Sequence, residues 1–215
     1  MRSVSLKTKI RQHRGEGRGA DYRPWIFVRE LSSTGTCAEI RNWKTGRTMQ
    51  LLSQGELYLF YILNWDPRVV DIREQFPLDI EETKRISKEM GVKHPSVAGN
   101  PMTTDLLVTL NDGREIAYSV KASRKDLKPR SLEILAVEKA YWNSKGIEWY
   151  LKCKDEMNLT YVRNIREVMA YYYPEDVHPG DRLGKLKHDI ATGTIIVEMK
   201  NEPLDYRRLA NGLGY

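Results

Sequence analysis

Between Thr104 and Lys121 the sequence brings an aspartate, a serine and a lysine onto what reads as one hairpin. Hydrolysis of a phosphodiester needs such a set: acidic oxygen ligands for Mg²⁺ and a cation or base beside the attacking water. Residues 104–110 and 115–121 read as strands joined by Asn-Asp-Gly. A two-residue Asp-Gly turn would set Asp105 opposite Val120. A three-residue Asn111-Asp112-Gly113 loop, with Gly113 left-handed, sets it opposite Ser119. Opposed residues share a face, as do residues two apart on a strand. Only the second register therefore projects Asp105, Ser119 and Lys121 to one side, with Ile116, Tyr118 and Val120 turned away as a core-facing row. The register decides whether this hairpin can do chemistry.

Other residues carry weaker signals. Ser53-x-x-Glu56 is a capping box, with Ser53 at the N-cap, Glu56 at N3 and Leu52 with Leu57 as the hydrophobic staple; this contributes about 1 kcal/mol without any metal. Arg124, Lys125, Lys128 and Arg130 form a basic run beyond the hairpin, suited either to DNA phosphates or to a solvated loop. Arg73, Glu74 and Gln75 either border the site or brace a sheet. Lys93 and His94 fit loop structure better than DNA contact. Tyr171, Tyr172 and Tyr173 are too closely spaced to share one helical face, so at least one should be exposed to a partner.

The elements that would position these groups alternate between strand and helix. Residues 24–31 and 36–43 read as short strands separated by Ser32-Ser33-Thr34-Gly35, and Lys44-Thr45-Gly46-Arg47 as a turn. A helix runs from Leu52 to Trp65 and is stopped by Pro67. A strand follows over 69–78, a polar helix over 79–90, and a Gly- and Pro-rich loop over 91–102. After the hairpin, a helix over 131–145 ended by Gly146 and a strand over 147–153 imply a parallel crossover. Helices over 158–173 and 180–191 and a strand over 194–200 complete the chain. The layout predicts a basic N-terminal arm (1–20), a catalytic domain (21–154) and a small C-terminal segment for partner contacts (155–215), too small for a robust core of its own.

A chain of 215 residues with 40% hydrophobic content can bury a full core, and a net charge of +6 tilts it toward a polyanionic partner. Cys37 and Cys153 stand far apart, which argues against a disulfide framework or a thiolate zinc site. His13, His94, His178 and His188 show no ligand spacing. The basic N-terminus, with Arg2, Lys7, Lys9, Arg11, Arg14 and Arg18 among glycines, lacks a signal-peptide core, and no window approaches a membrane span. A soluble, intracellular protein is expected.

An acid on one strand followed by a short strand ending in x-Val-Lys resembles the PD-(D/E)xK nuclease pattern. The runs RGEGRGADYRPW, KTGRTMQLLSQGELYLF, VVDIREQFPL, GVKHP and TTDLLV are similar, in order and spacing over residues 14 to 153, to the TnsA endonuclease family of cut-and-paste transposons. The resemblance implies a restriction-endonuclease-like α/β core, a central mixed sheet flanked by helices. It implies that Glu56 is the helical ligand, Asp105 the central aspartate, and Lys121 the lysine that stabilises the attacking hydroxide or phosphoryl oxygens. Ser119 departs from the family, standing where the superfamily has an acid and known TnsA proteins a glutamine. Glu56, Asp105 and the Val120 carbonyl are then expected to hold Mg²⁺, with Mn²⁺ as a substitute and waters completing the octahedron. The resemblance further implies cutting of double-stranded DNA at the 5′ ends of the transposon, a partner transposase (TnsB) acting at the 3′ ends, an ATP-dependent regulator (TnsC), and a cytoplasmic, nucleoid-associated location. A restriction or repair nuclease, or a catalytically silent DNA-bridging subunit, are the alternatives.

Overall fold

The computed structural model describes residues 4–31, 36–96 and 99–215. Arg2 and the Ser32–Gly35 turn lie outside them. In chain order the elements are α1 (Leu6–Arg11), β1 (Ala38–Arg41), β2 (Thr48–Leu51), α2 (Gln54–Trp65), β3 (Val69–Pro77), α3 (Ile80–Glu89), β4 (Thr103–Leu110), β5 (Glu115–Lys121), α4 (Pro129–Ser144), β6 (Glu148–Cys153), α5 (Leu159–Met169), α6 (Arg182–Ala191) and α7 (Tyr206–Leu213).

A four-stranded mixed sheet in the order β3-β4-β5-β6 forms the centre. The first three strands run antiparallel, and β5 and β6, joined through α4, are parallel. This is the expected central mixed sheet with helices on both faces. On one face, Ile72, Leu106, Val108, Tyr118 and Val120 pack with Leu59 and Phe60 of α2. On the other, Leu107 and Ala117 pack with Ile86 of α3 and Val137, Tyr141 and Trp142 of α4. The expected core-facing row of Ile116, Tyr118 and Val120 is present.

The N-terminal residues are less free than a basic arm suggests. Ser5 caps α1, accepting the Thr8 N–H. Arg14 is 5% exposed and makes a forked ion pair with Glu30, while Lys9 is buried over the Trp25 ring. Arg18 pairs with Glu115. Gly15 lies where a Cβ would come 2.3 Å from Pro77 Cγ, at φ +83°, so the segment lies tightly on β3. Of this basic set, Lys7 and Arg11 remain exposed without an ion pair among the described residues.

Three element assignments are corrected. Residues 24–31 form no strand but a 3₁₀ turn at Val28–Glu30, because side chains and the β3 edge take their backbone groups singly: the Trp25 N–H donates to the Gln75 carbonyl and the Val28 N–H to Gln50 Oε1. Thr48–Leu51, left without an element by the sequence, is a strand paired with β1. Residues 194–200 are irregular, since Asn164 of α5 donates to the Met199 and Glu202 carbonyls in place of a neighbouring strand.

The C-terminal segment extends the core. Val162, Ile165 and Val168 of α5, Leu186 and Ile190 of α6, and Ala210 of α7 belong to the same buried cluster as α2 and the sheet. The tyrosine expected to be exposed is also corrected: α5 ends at Met169, and Tyr171, Tyr172 and Tyr173 are each half-buried. Tyr173 is covered by Arg41, 3.8 Å above its ring. Among the described residues no helix is long and apolar enough to cross a membrane.

Candidate active site

The register decides in favour of the three-residue loop. Leu106 pairs with Tyr118 and Thr109 with Glu115, so Asp105 faces Ser119, and Gly113 has φ +85°. The ladder stops at Leu106–Tyr118. There the strands part, and the Asp105 carboxylate enters the gap, accepting the Val120 N–H at 2.6 Å. Asp105 thus substitutes a side-chain acceptor for a lost ladder bond, and this fixes it at the mouth of the hairpin. Lys121 Nζ lies 3.9 Å from Asp105 Oδ2 and donates to the Val120 carbonyl at 3.0 Å. The carbonyl expected to bind metal therefore already faces a cation.

Glu56 arrives from the opposite face of the sheet. The Ser53 hydroxyl donates to Glu56 Oε1 (2.9 Å), the Glu56 N–H donates back to Ser53 Oγ (3.2 Å), and the Leu52 N–H donates to Glu56 Oε2 (2.9 Å). Capping box and site are one arrangement: the cap locks the rotamer that carries the carboxylate to the hairpin. Gly55 allows the approach. A Cβ there would stand 2.8 Å from Val120 Cγ1 and 3.4 Å from Lys154 Cβ.

Burial first, and the facing Asp105 carboxylate second, push the Glu56 carboxyl up to about 8. Burial also raises Asp105, against the lowering influence of Lys121, the Val120 N–H and a hydrogen bond from Gln75. Two acids facing each other with too little positive charge between them are what a bound cation would relieve. The donors are hard carboxylate and carbonyl oxygens, and they suit Mg²⁺ or Mn²⁺.

Sequence reading missed Glu138. It lies on α4, 4% exposed, accepts the Thr104 hydroxyl at 2.7 Å and takes further hydrogen bonds from Ser119 and Trp149. Burial and the Asp105 charge push its carboxyl up to about 7. Ser119, buried and taking the Trp149 indole N–H at 3.2 Å, is thereby turned toward Glu138. A signal was present: Leu135, Glu138 and Trp142 fall at helical spacing on one buried stripe, and a glutamate there requires a polar partner. Asp105, Lys121 and Glu138 line a cavity of about 570 Å³, walled also by Met102, Ser131 and Ile134.

The neighbouring charges separate cleanly. Arg73 pairs with Glu115, and the fully buried Glu74 with Arg47 (2.6 Å), so both brace the sheet. Gln75 alone of that triplet reaches the site. In the basic run, Arg124 pairs with Glu156, and Arg130 with Glu133 and the Lys93 carbonyl, while Lys125 and Lys128 stay exposed. His94 bonds the Thr83 hydroxyl of α3, which ties its loop to that helix. Cys153, Asp155 and Glu156 bring ligand atoms within 4.8 Å of one another, but Arg124 already neutralises Glu156.

A mixed sheet flanked by helices, with two acids and a lysine gathered where an antiparallel hairpin parts, defines a restriction-endonuclease-like domain. Residues 66–152 match the family model described as TnsA-like endonuclease N terminal. The chain is also 40% identical over 166 residues to the transposon Tn7 transposition protein TnsA of Escherichia coli, an overlap covering 75% of this chain and 61% of that protein's length. The chain belongs to the TnsA family.

Proposed function

We propose that the chain is a Mg²⁺-dependent DNA endonuclease subunit of a cut-and-paste transposase. In this reading it cuts double-stranded DNA at the 5′ ends of the transposon, beside a TnsB-type transposase and under a TnsC-type ATP-dependent regulator. The single observation that carries the proposal is the convergence of Glu56, Asp105 and Lys121 at the parting of β4 and β5.

Glu56, Asp105 and the Val120 carbonyl would hold the ion. When bound, it supplies a polarised phosphate and a water of lowered pKa. Lys121, once drawn off the Val120 carbonyl, would offset charge that develops on the reacting phosphate. Glu138, poised near neutrality, can take up a proton released in the cavity it shares with Asp105. Lys125 and Lys128 lie just beyond β5 and would hold the DNA backbone without reading sequence.

The test is 5′-end cutting in the presence of the partner transposase with Mg²⁺ or Mn²⁺, comparing wild type with Asp105→Ala. The variant should lose at least about 100-fold in rate, the scale of losing a principal electrostatic group. Cutting unchanged by the substitution would leave a DNA-bridging subunit as the surviving reading. Vigorous cleavage of plain duplex by the chain alone would instead favour a restriction- or repair-type enzyme.

A further inference from the structure

Gln75 has a backbone that its residue type rarely adopts. It is 2% exposed and has φ +49°, one of two non-glycine residues with positive φ among those described. Its neighbours stay in the ladder, Glu74 paired with Leu106 and Phe76 with Thr104, so by register Gln75 stands opposite Asp105. Its carbonyl is taken by the Trp25 N–H from the N-terminal segment. A left-handed residue inside a strand is strained and persists only where its surroundings impose it; such outliers gather at sites.

The side chain shows what the distortion achieves. Gln75 Nε2 donates to Glu56 Oε2 at 3.2 Å, and Asp105 receives a hydrogen bond from the same side chain. Gln75 Oε1 accepts the Thr103 hydroxyl at 3.2 Å, which points the amide nitrogen toward the two acids. One carboxamide therefore spans a carboxylate from α2 and a carboxylate from β4, which reach the site from different parts of the fold. A glutamate here would add a third negative charge to a crowded pair, and a lysine would bring a permanent cation in competition with a metal. An amide satisfies both oxygens and leaves their charge available.

We infer that Gln75 is a positioning residue of the site, a neutral amide bridge that holds Glu56 and Asp105 at the convergence a divalent ion requires. This rests on the metal-dependent reading above. The bridge also matters because Ser119 faces Glu138, so that the acid or amide expected at position 119 is not there to orient Asp105.

The test measures Mn²⁺ binding to the full chain by calorimetry and by the electron paramagnetic resonance signal of the ion, with no DNA present. Gln75→Gly removes the amide and suits the positive φ, so it should melt no lower than wild type yet bind Mn²⁺ about 10–100-fold more weakly, the usual effect of losing a partner that orients ligands. Gln75→Asn, which tolerates the same backbone, shortens the amide by one methylene and should fall between the two. Raising Mn²⁺ should restore cutting in Gln75→Gly but not in Asp105→Ala. Equal affinity in wild type and Gln75→Gly overturns the inference. If Gln75→Gly does not fold, equal affinity in Gln75→Asn overturns it instead. Wild type that binds Mn²⁺ no better than Asp105→Asn sinks the metal-dependent reading itself, a separate failure.

Discussion

At the scale of single residues, the site is a set of buried acids kept from ionising by one another and by burial. Glu56 is pushed up to about 8 and Glu138 to about 7, against 4.5 for an ordinary glutamate. Between these values the folded chain holds protons that the unfolded chain has released, so stability falls as pH rises. The contribution is fully present below about pH 4.5 and is lost as pH passes through about 8, at no more than ~1.4 kcal/mol per pH unit for each group. Melting of the metal-free chain should therefore drop across this window, and Glu56→Gln should flatten the slope; parallel slopes would count against a protonated Glu56. Mg²⁺ should raise the melting temperature more at about pH 8 than at about pH 6, because it binds ionised ligands. The Arg47–Glu74 pair makes a different demand. Arg47→Met leaves a fully buried carboxylate without its cation and should cost ~3–5 kcal/mol in denaturant unfolding. Arg47→Met with Glu74→Leu should cost less than the single change, and a double variant as unstable as the sum of both singles would contradict this.

At the scale of elements, function depends on how closely the start of α2 presses on the end of β5. Gly55→Ala sets two effects against each other. Alanine favours a helix by about 1 kcal/mol over glycine, while overpacking against Val120 costs about 1–3 kcal/mol. The second should win, lowering stability and weakening Mn²⁺ binding as Glu56 is displaced from Asp105. Adding Val120→Ala makes room for the new methyl and should recover the binding. A Gly55→Ala variant with unchanged metal affinity would show that the helix can yield without moving Glu56. The same logic explains how a capping glutamate could double as a ligand in the proposed site: its carboxylate comes off the first turn of α2, which packs against the end of β5.

At the scale of the whole molecule, α5 to α7 share one buried cluster with α2 and the sheet. Ending the chain after Lys154 would strip Val162, Ile165, Val168, Leu186 and Ile190 from that cluster and expose Leu59 and Phe60. The shortened protein should lose cooperative unfolding or aggregate, as judged by near-ultraviolet circular dichroism and size-exclusion chromatography. A soluble fragment of residues 4–154 with a sharp melt would show that the sheet and α2 form a sufficient core. The surface charge is similarly distributed by tertiary pairing. Arg14, Arg124 and Arg130 are occupied by Glu30, Glu156 and Glu133, which leaves Lys125 and Lys128 of the basic run exposed without an ion pair among the described residues.

Local patterns were enough to place most of the strands and helices and the capped start of α2, and to narrow the hairpin to two registers, between which the structure chose. Each depends on residues close in sequence: Ser53 with Glu56, Gly113 in its turn, the alternation from Ile116 to Val120. The acids and lysine could be named because the resemblance to the TnsA family points to Glu56, Asp105 and Lys121, and one of the two possible hairpin registers puts Asp105 and Lys121 on one face. Where side chains meet across the fold, those rules are silent. Glu138 reaches Asp105 only because α4 packs on the sheet, Gln75 bridges two acids because its strand twists left-handed for one residue, and the C-terminal helices complete a core they could not form alone. Those placements are fixed by packing between distant segments, whose energy depends on all the partners at once.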